Sequence, residues 1–242
     1  LLREFDLYRQ AADTPSKTLV GFDLGGGTPS AADERHIARV VEAARLNFQL
    51  PDSVTISIET TPLIAARQPH KLRAYSAMGI RRISMGVQTV NPRLLEEVGR
   101  PHTSLDDDYR AAEAVRSAGF GKFNVDVMYG FAGQSLSSVE ATLQHVIDLA
   151  PEYITLYRMR YKGTRLAEQA DGVTRQQINE QYARAKDLLQ AAGYAGTPGK
   201  NTFSRLAGDA GTSHISYNTC LPDLQLVITG QHFLSAFTIR SG

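Results

Sequence analysis

The sequence predicts an α/β protein with a parallel β-sheet, and two observations support this fold class. First, short runs of apolar or β-branched residues recur along the chain, and each has the length and composition of a buried strand. Second, the segments between these runs carry apolar residues at helical spacing, so that a strand recurs roughly every 30 to 40 residues. Because this alternation is the rhythm of βαβ units, it favours a parallel sheet over a sandwich.

Five strands are predicted, at residues 18–24, 54–58, 80–87, 123–129 and 153–157. The helical pattern i, i+3, i+4, i+7 is present in three other segments. Their apolar positions are Ile37, Val40, Val41 and Ala44; Val139, Leu143, Val146 and Ile147; and Ile178, Tyr182, Ala185, Leu188 and Leu189. After residue 163 one helix is followed by a Gly-, Pro- and Thr-rich stretch at 193–212, which indicates a boundary. Residues 221–242 have the pattern of an apolar tail with no helix or strand period.

The composition argues against several classes of partner and site. There are 26 Lys and Arg against 25 Asp and Glu, so the net charge of +1 gives no support for nucleic-acid binding. No apolar stretch approaches the roughly 20 residues that cross a bilayer, and residues 1–6 have no signal-peptide architecture. We therefore expect a cytoplasmic protein without a membrane partner. Cys220 is the single cysteine, so this chain provides neither an internal disulfide nor a four-thiolate metal site.

Polar residues lie where the predicted strands end. Residues 25–30, Gly-Gly-Gly-Thr-Pro-Ser, follow the first strand, Glu59 follows the second and Gln88 the third, while Asp126 lies within the fourth. In a barrel the carboxyl ends of the strands converge on one mouth, where the active site forms. These residues are therefore the candidate site.

The three glycines at 25–27 remove side chains where the chain leaves a strand, which lets backbone N–H and C=O groups contact a ligand. The alternative is a tight strand-to-helix turn with Ser30 as the helix N-cap. The segment matches neither the P-loop nor the dinucleotide-binding fingerprint. Both interpretations of the glycines remain open on this pattern alone.

Three charged residues near these strands have more than one interpretation. Glu59 suits a pair of ribose hydroxyls, or else forms a salt bridge with an arginine or caps the next helix. Arg100 offers a guanidinium on a loop, suited to a carboxylate or phosphate, and the nearby His102 is a ligand or base, or only a backbone hydrogen-bond donor. Asp126 needs a partner or a ligand, because an isolated buried charge is too costly.

The order of these motifs resembles that of the oxygen-independent coproporphyrinogen III oxidase family of radical S-adenosylmethionine (SAM) enzymes, the HemN/HemW-like family that includes a haem chaperone. The resemblance extends through Ile154-Thr155-Leu156-Tyr157 to Gly163-Thr164. The motifs that carry it are Gly25-Gly26-Gly27-Thr28-Pro29-Ser30, Ile58-Glu59, Gly79 to Gln88, Gly99-Arg100-Pro101-His102 and Asn124 to Gly130.

The resemblance implies a partial (β/α)6 TIM-like barrel of the radical SAM type, truncated at its N-terminus. Residues 1–165 would form the barrel, and 166–242 a C-terminal helix with the start of a substrate-side extension. The barrel mouth would hold SAM and a [4Fe–4S] cluster. By the same resemblance the glycine turn contacts the SAM methionine moiety, chiefly through Gly26 and Gly27, and Glu59 binds the ribose. The residues implied to serve a second SAM molecule are Thr28, Gln88, Arg100 and Asp126.

The cluster motif of the family, Cys-x-x-x-Cys-x-x-Cys, is missing from this sequence. Three thiolates hold such a cluster while its fourth iron binds SAM, and Cys220 alone does not replace them. We therefore expect the cluster ligands upstream of this chain and no metal ligand within it, and we expect the fragment alone to be inactive.

The implied activity is hydrogen abstraction from a small-molecule substrate by a 5′-deoxyadenosyl radical. In the named oxidase, two propionate side chains of a porphyrinogen are oxidatively decarboxylated to vinyl groups, and a reductant of the flavodoxin or ferredoxin type supplies electrons. The alternatives are a HemW-type haem chaperone, with His102, His145 and His214 as generic haem ligands, and a relative that transfers methyl groups or cleaves haem. The catalytic residues are not identified at this stage, and a barrel enzyme without radical chemistry remains open.

Overall fold

The computed structural model describes residues 1–12, 14–19, 21–100, 104–209, 231–234 and 237–240. His102, His214 and Cys220 lie outside the described residues. The helices are α1 (Leu2–Ala12), α2 (Glu34–Asn47), α3 (Pro62–Arg67), α4 (Pro69–Ala77), α5 (Pro92–Glu97), α6 (Leu105–Ser117), α7 (Leu136–Asp148) and α8 (Arg175–Ala191). The strands are β1 (Phe22–Leu24), β2 (Ile56–Thr60), β3 (Ile80–Gln88), β4 (Lys122–Tyr129), β5 (Tyr153–Arg158), β6 (Ala195–Gly196), β7 (Thr202–Ser204), β8 (Gln231–Leu234) and β9 (Phe237–Arg240).

The main sheet has seven strands in the order β1-β2-β3-β4-β5-β7-β6. Neighbours from β1 to β5 are parallel, whereas β7 pairs antiparallel with β5 and with β6. The predicted α/β class and the five predicted strands are confirmed, as a partial barrel whose sheet does not close within the described residues. The division of the chain near residue 165 stays a prediction.

Two features of the C-terminal part were not predicted. The Gly-, Pro- and Thr-rich stretch contains the strands β6 and β7, which extend the main sheet. The apolar tail contains β8 and β9, which pair antiparallel as a separate two-stranded sheet. Strands of two to four residues are too short to display a period in the sequence, and they are defined by the backbone pairing of a partner strand.

The helices pack against one face of the sheet. The side chains of Ile58, Ile83, Val125 and Ile154 are fully buried between the sheet and the helices. The opposite face of the same strands is polar, because side chains alternate along a strand and the parallel register aligns the rows. One such row runs from Glu59 through Ser84 to Asn124 and Tyr153. We call this surface the inner face.

The turn after β1 is a 3₁₀ turn at Pro29–Ala31, and α2 begins only after it. Ser30 is therefore not the N-cap of α2. Asp33 fills that role, since its side chain accepts a hydrogen bond of 2.8 Å from the Arg35 N–H. Within the described part of the chain, no helix is both long and apolar enough to cross a membrane.

Candidate functional site

The glycine turn and Glu59 form one structural unit at the carboxyl ends of β1 and β2. The Gly26 N–H donates a hydrogen bond to the Glu59 carboxylate. A Cβ atom at Gly25 would lie 2.6 Å from Glu59 Oε1, so glycine at this position allows the carboxylate to approach the turn. Gly26 and Gly27 have φ angles of 83° and 139°, which favour glycine. A Cβ built on either would have no neighbouring atom within 4 Å, so the outer side of the turn is open.

Contacts with the end of β2 and with α4 hold this turn in place. The Ser30 hydroxyl donates a 3.0 Å hydrogen bond to Thr60 Oγ1 at the end of β2. The buried Lys71 of α4 donates from Nζ to the carbonyls of Ser30, at 2.9 Å, and Ala32, at 2.8 Å. Thr28 precedes the 3₁₀ turn and its side chain makes no capping hydrogen bond. Lys71 was not predicted to support the site.

Asp126 lies beside Glu59 on the inner face, held by neutral donors. The Asn124 amide donates to its Oδ1 at 2.7 Å, and the Ser84 hydroxyl donates to its Oδ2 at 3.1 Å. Thr155 Oγ1 in turn donates to the side-chain amide oxygen of Asn124, Oδ1, at 2.8 Å. Each strand from β3 to β5 thus contributes to one hydrogen-bonded network that orients the Asp126 carboxylate. The expectation that this carboxylate needs partners is met by Asn124 and Ser84.

Burial raises the pKa of both carboxyl groups. For Glu59 the loss of water is the largest cause, the charge of Asp126 adds to it, and the Gly26 hydrogen bond opposes it. For Asp126 burial is again the largest cause, opposed by the hydrogen bonds from Asn124 and Ser84. The Arg100 guanidinium acts on both carboxylates and lowers their pKa. Arg82 also lowers the pKa of Asp126, and Asp23 also raises that of Glu59, so the site holds mutually repelling carboxylates whose charge is moderated by two arginines.

Gln88 and Arg100 meet over Gly86 at the end of β3. Arg100 Nη1 donates to the Gly86 carbonyl at 3.1 Å, and a Cβ at Gly86 would lie 2.6 Å from Gln88 Nε2. Gln88 has a φ angle of 67°, which is rare for a residue with a side chain, and it sits at a register shift between β3 and β4. Its Oε1 is buried and has no hydrogen-bond partner among the described residues. A strained residue with an unsatisfied amide oxygen is typical of a ligand-binding position.

The inner face also carries aromatic and cationic residues for which no role was predicted. The guanidinium of the buried Arg82 lies 5.4 Å from the centre of the Tyr153 ring. Tyr157 is half exposed at the end of β5, and burial, followed by the charges of Asp126 and Glu59, raises its pKa to about 12. The sequence does indicate a polar face on these strands, because polar residues recur at alternate positions 82 and 84 and again at 124 and 126.

The structure brings most of the predicted site residues to one edge of the sheet. Gly25, Gly26, Glu59 and Asp126 interact directly or through charge, and Gln88 joins them through Gly86 and Arg100. Neither alternative for Glu59 is observed: Thr61 caps α3, and Glu59 forms no ion pair within the described residues.

Two further expectations concern metal ions. His145 is buried between α6 and α7, where its Nε2 lies 2.8 Å from Asp108 Oδ2, away from the inner face. It is therefore a partner of Asp108 and does not face the candidate site. No group of three or more His, Cys, Asp or Glu side chains that could hold a metal ion is present in the described ranges. Together with the single cysteine of the sequence, this means that the residues at hand do not fit a [4Fe–4S] cluster.

Comparisons with known proteins agree on the fold and the family. A family profile described as the Radical SAM superfamily matches residues 6–146. Heme chaperone HemW of Haemophilus influenzae is 29% identical over 154 residues, covering 64% of this chain and 39% of that protein. Radical S-adenosyl methionine domain-containing protein 1, mitochondrial, of Danio rerio is 32% identical over 149 residues, covering 61% of this chain and 33% of that protein.

Among solved structures, coproporphyrinogen III oxidase (HemN) from Escherichia coli, described as a radical SAM enzyme, is similar with a TM-score of 0.70 and 25% identity. The alignment covers 84% of this chain and 47% of that protein. The chain thus spans less than half the length of these three proteins.

Proposed function

The chain belongs to the radical SAM superfamily, and from this premise we propose that its glycine turn and Glu59 bind SAM. The observation that carries the proposal is the contact between the glycine turn and Glu59: the Gly26 N–H donates to the Glu59 carboxylate, and Gly25 has no Cβ that would block the approach of that carboxylate. It presents a carboxylate and free backbone groups to an open space at the carboxyl edge of a parallel sheet. That edge is where ligands bind in barrel folds.

The residues present fit the chemical groups of SAM. The Glu59 carboxylate keeps acceptor capacity beyond its bond from Gly26, and the ribose offers two hydroxyl donors. The open backbone of Gly26 and Gly27 offers carbonyl acceptors for the methionine ammonium, as the lack of neighbours within 4 Å permits. Arg100 suits a carboxylate, and the unsatisfied Gln88 Oε1 accepts a further donor. Thr28, Gln88, Arg100 and Asp126 remain the proposed residues for a second SAM molecule.

The chemistry that SAM supplies in radical SAM enzymes is a 5′-deoxyadenosyl radical, which abstracts hydrogen from the substrate. This chain contributes binding and orientation: Glu59 holds the ribose, the network of Ser84 and Asn124 fixes Asp126, and Lys71 holds the turn in place. Since the chain's residues do not fit a [4Fe–4S] cluster, no step that needs the cluster is assigned to them.

The proposed reaction of the whole protein is that of a coproporphyrinogen III oxidase-like enzyme on a porphyrinogen or related substrate, with a flavodoxin- or ferredoxin-type reductant. The likeness to HemN at 25% identity supports this choice. The second candidate is a haem chaperone, which the likeness to HemW of Haemophilus influenzae favours. Oxidative decarboxylation of coproporphyrinogen III by the cluster-loaded whole protein would favour the enzyme, whereas stoichiometric haem binding without that turnover would favour the chaperone.

The SAM site is tested by calorimetric titration of SAM into the 242-residue chain. Losing a hydrogen bond to a charged group costs about 1.5 to 3 kcal/mol, so Glu59→Ala should weaken SAM binding by roughly one to two orders of magnitude. Glu59→Gln should lose less, because its amide oxygen still accepts one hydroxyl. Glu42→Ala, which removes an exposed carboxylate on α2, is the control. Equal SAM affinities for Glu59→Ala and Glu42→Ala, or no SAM binding by the unsubstituted chain, would contradict the proposal.

A further inference from the structure

Three exposed cations follow one another closely where the chain leaves β5. Arg158, Arg160 and Lys162 occupy alternate positions and are exposed, whereas Met159 is buried and Tyr161 is half-buried between them. In an extended segment, alternate side chains point to the same side. Arg158 and Arg160 therefore lie on the same side, Lys162 follows at the start of a turn, and all three are exposed, while the two residues between them anchor the segment to the protein.

That anchoring holds the segment in one place. The Met159 N–H donates to the Tyr129 carbonyl at 2.8 Å, which continues the pairing of β5 beyond its last residue. The Tyr161 hydroxyl donates to the Gly130 carbonyl at 3.2 Å and accepts from the Ala132 N–H at 2.7 Å. Gly130 has a φ of 81°, and a Cβ there would lie 3.4 Å from Arg158 Cγ, so glycine leaves room for the Arg158 side chain. These contacts hold the backbone that carries the three cations in one place.

The positive charge of this segment is not neutralised locally. The sequence has no Asp or Glu between Glu152 and Glu168. None of the three cations forms an ion pair within the part of the chain that the structure describes. Arg165, the fourth cation of the segment, instead donates to the carbonyls of Glu96 and Glu97 at the end of α5. A protein with a net charge of +1 thus concentrates three unpaired cations on five residues.

These cations line a cavity. Its volume is about 390 Å³, and its walls include Arg158, Arg160, Tyr161, Lys162, Val173 and Ile178. The cavity opens beside the end of β5, the same end of the sheet at which Glu59 and the glycine turn lie. Its lining contains apolar and aromatic surface as well as the cations, and no carboxylate. This combination suits a ligand with an apolar body and clustered negative charges.

We propose that Arg158, Arg160 and Lys162 form a subsite that binds the clustered anionic groups of the substrate, either carboxylates or phosphates. The inference rests on the proposed function only in assigning the anion to a substrate. Guanidinium groups pair with both anions in a bidentate manner, and a lysine adds a point charge. The subsite would hold one end of the substrate at the carboxyl end of β5, the end of the sheet at which the proposed SAM site also lies.

The test compares two variants of the 242-residue chain that remove the same charge. The subsite variant is Arg158→Gln/Arg160→Gln/Lys162→Gln. The control variant, Arg9→Gln/Arg39→Gln/Lys186→Gln, removes three exposed helical cations elsewhere. Coproporphyrin III, which carries four carboxylates, and inorganic pyrophosphate are titrated separately by fluorescence or calorimetry in the absence of SAM. We expect the subsite variant to bind one of these probes at least about tenfold more weakly than the control variant.

The two probes distinguish the chemistry of the anion. Loss of coproporphyrin binding alone assigns the subsite to carboxylates, and loss of pyrophosphate binding alone assigns it to phosphates. Equal affinities of the two variants for both probes, or no binding of either probe by the unsubstituted chain, would overturn the inference. SAM titration of the same variants is a separate readout: the subsite variant should retain SAM binding, so failure of the SAM site and failure of the anion subsite give different results. If the triple variant does not fold, the three single variants replace it.

Discussion

Gly25→Ala should weaken SAM binding by displacing the Glu59 carboxylate while leaving the fold intact. The new Cβ would lie 2.6 Å from Glu59 Oε1, and ordinary contacts begin at 3.4 Å. The carboxylate must therefore retreat by about 0.8 Å, a shift comparable to the whole range of normal hydrogen-bond lengths, so its bond from Gly26 and its position for a ligand should change. The backbone at Gly25 is not left-handed, and the atom in the way is the end of a flexible side chain. We thus expect a small change in stability.

The size of the effect follows from what the carboxylate contributes. If displacement removes most of its hydrogen bonding to the ribose, the loss is about 1.5 to 3 kcal/mol, or one to two orders of magnitude in Kd. In the Glu59→Ala background the obstacle is gone, so Gly25→Ala should then change the Kd by less than about threefold. The two substitutions should be strongly non-additive, with a coupling energy of about 1 to 3 kcal/mol.

The assay is calorimetric titration of SAM into the four proteins of this double-mutant cycle, with thermal unfolding measured on each. Gly121→Ala is the matched control, because a Cβ there has no neighbour within 4 Å and its φ is not positive. Additive effects of Gly25→Ala and Glu59→Ala would refute the reasoning, since they would mean that the two residues act on SAM independently. An unchanged SAM affinity for Gly25→Ala would refute it as well.

Three further predictions concern the supports of the site. Lys71→Met leaves the Ser30 and Ala32 carbonyls without their donor, so it should lower the free energy of unfolding by about 1 to 3 kcal/mol. Urea titrations measure this against the control Lys186→Met, and equal urea midpoints for the two variants would contradict the prediction. Gln88→Gly should be more stable than Gln88→Ala by about 1 kcal/mol, because both variants lose the side chain and only glycine adopts the positive φ without strain. Thermal unfolding of the two variants measures this difference. Glu59→Gln should raise Tm at pH 7, since a carboxyl whose pKa is raised by folding reduces stability above its unfolded pKa of about 4.3. That gain should disappear as the pH falls towards 4, and a gain independent of pH would exclude the charge as its cause.

Apolar runs predicted the strands well because each strand from β2 to β5 carries fully buried apolar residues on the face under the helices, and the apolar residues of β1 are partly buried there. The same runs concealed the polar inner face, which places Arg82, Ser84 and Asn124 beside the predicted Asp126. The strands were interpreted only as buried, and the polar residues at alternate positions indicated that one of their faces is polar. Glu59 and the glycine turn were identified as candidates from sequence and resemblance, but their mutual contact depends on the register of β1 with β2.

Contacts between residues distant in sequence were beyond any local pattern. Lys71 reaches back 41 and 39 residues to Ser30 and Ala32, and the sequence around it is that of an ordinary helix. The positive φ of Gln88 arises from the register shift between β3 and β4, and glutamine itself does not indicate it. Long-range packing thus determines the supports of the site, whereas strand-end chemistry suggests its candidate ligand-binding residues.

The position of β1 has a consequence for local opening and amide hydrogen exchange. It is a three-residue strand at one end of the sheet order, and it is joined to β2 by three residue pairs. Segments with few contacts open with a much smaller free energy than the whole protein unfolds. The glycine turn that follows β1 would lose its register with Glu59 in each such opening. A ligand that contacts both sides of this junction must therefore slow the exchange of the amides in β1, so that their protection from deuterium measures how fully the site is occupied.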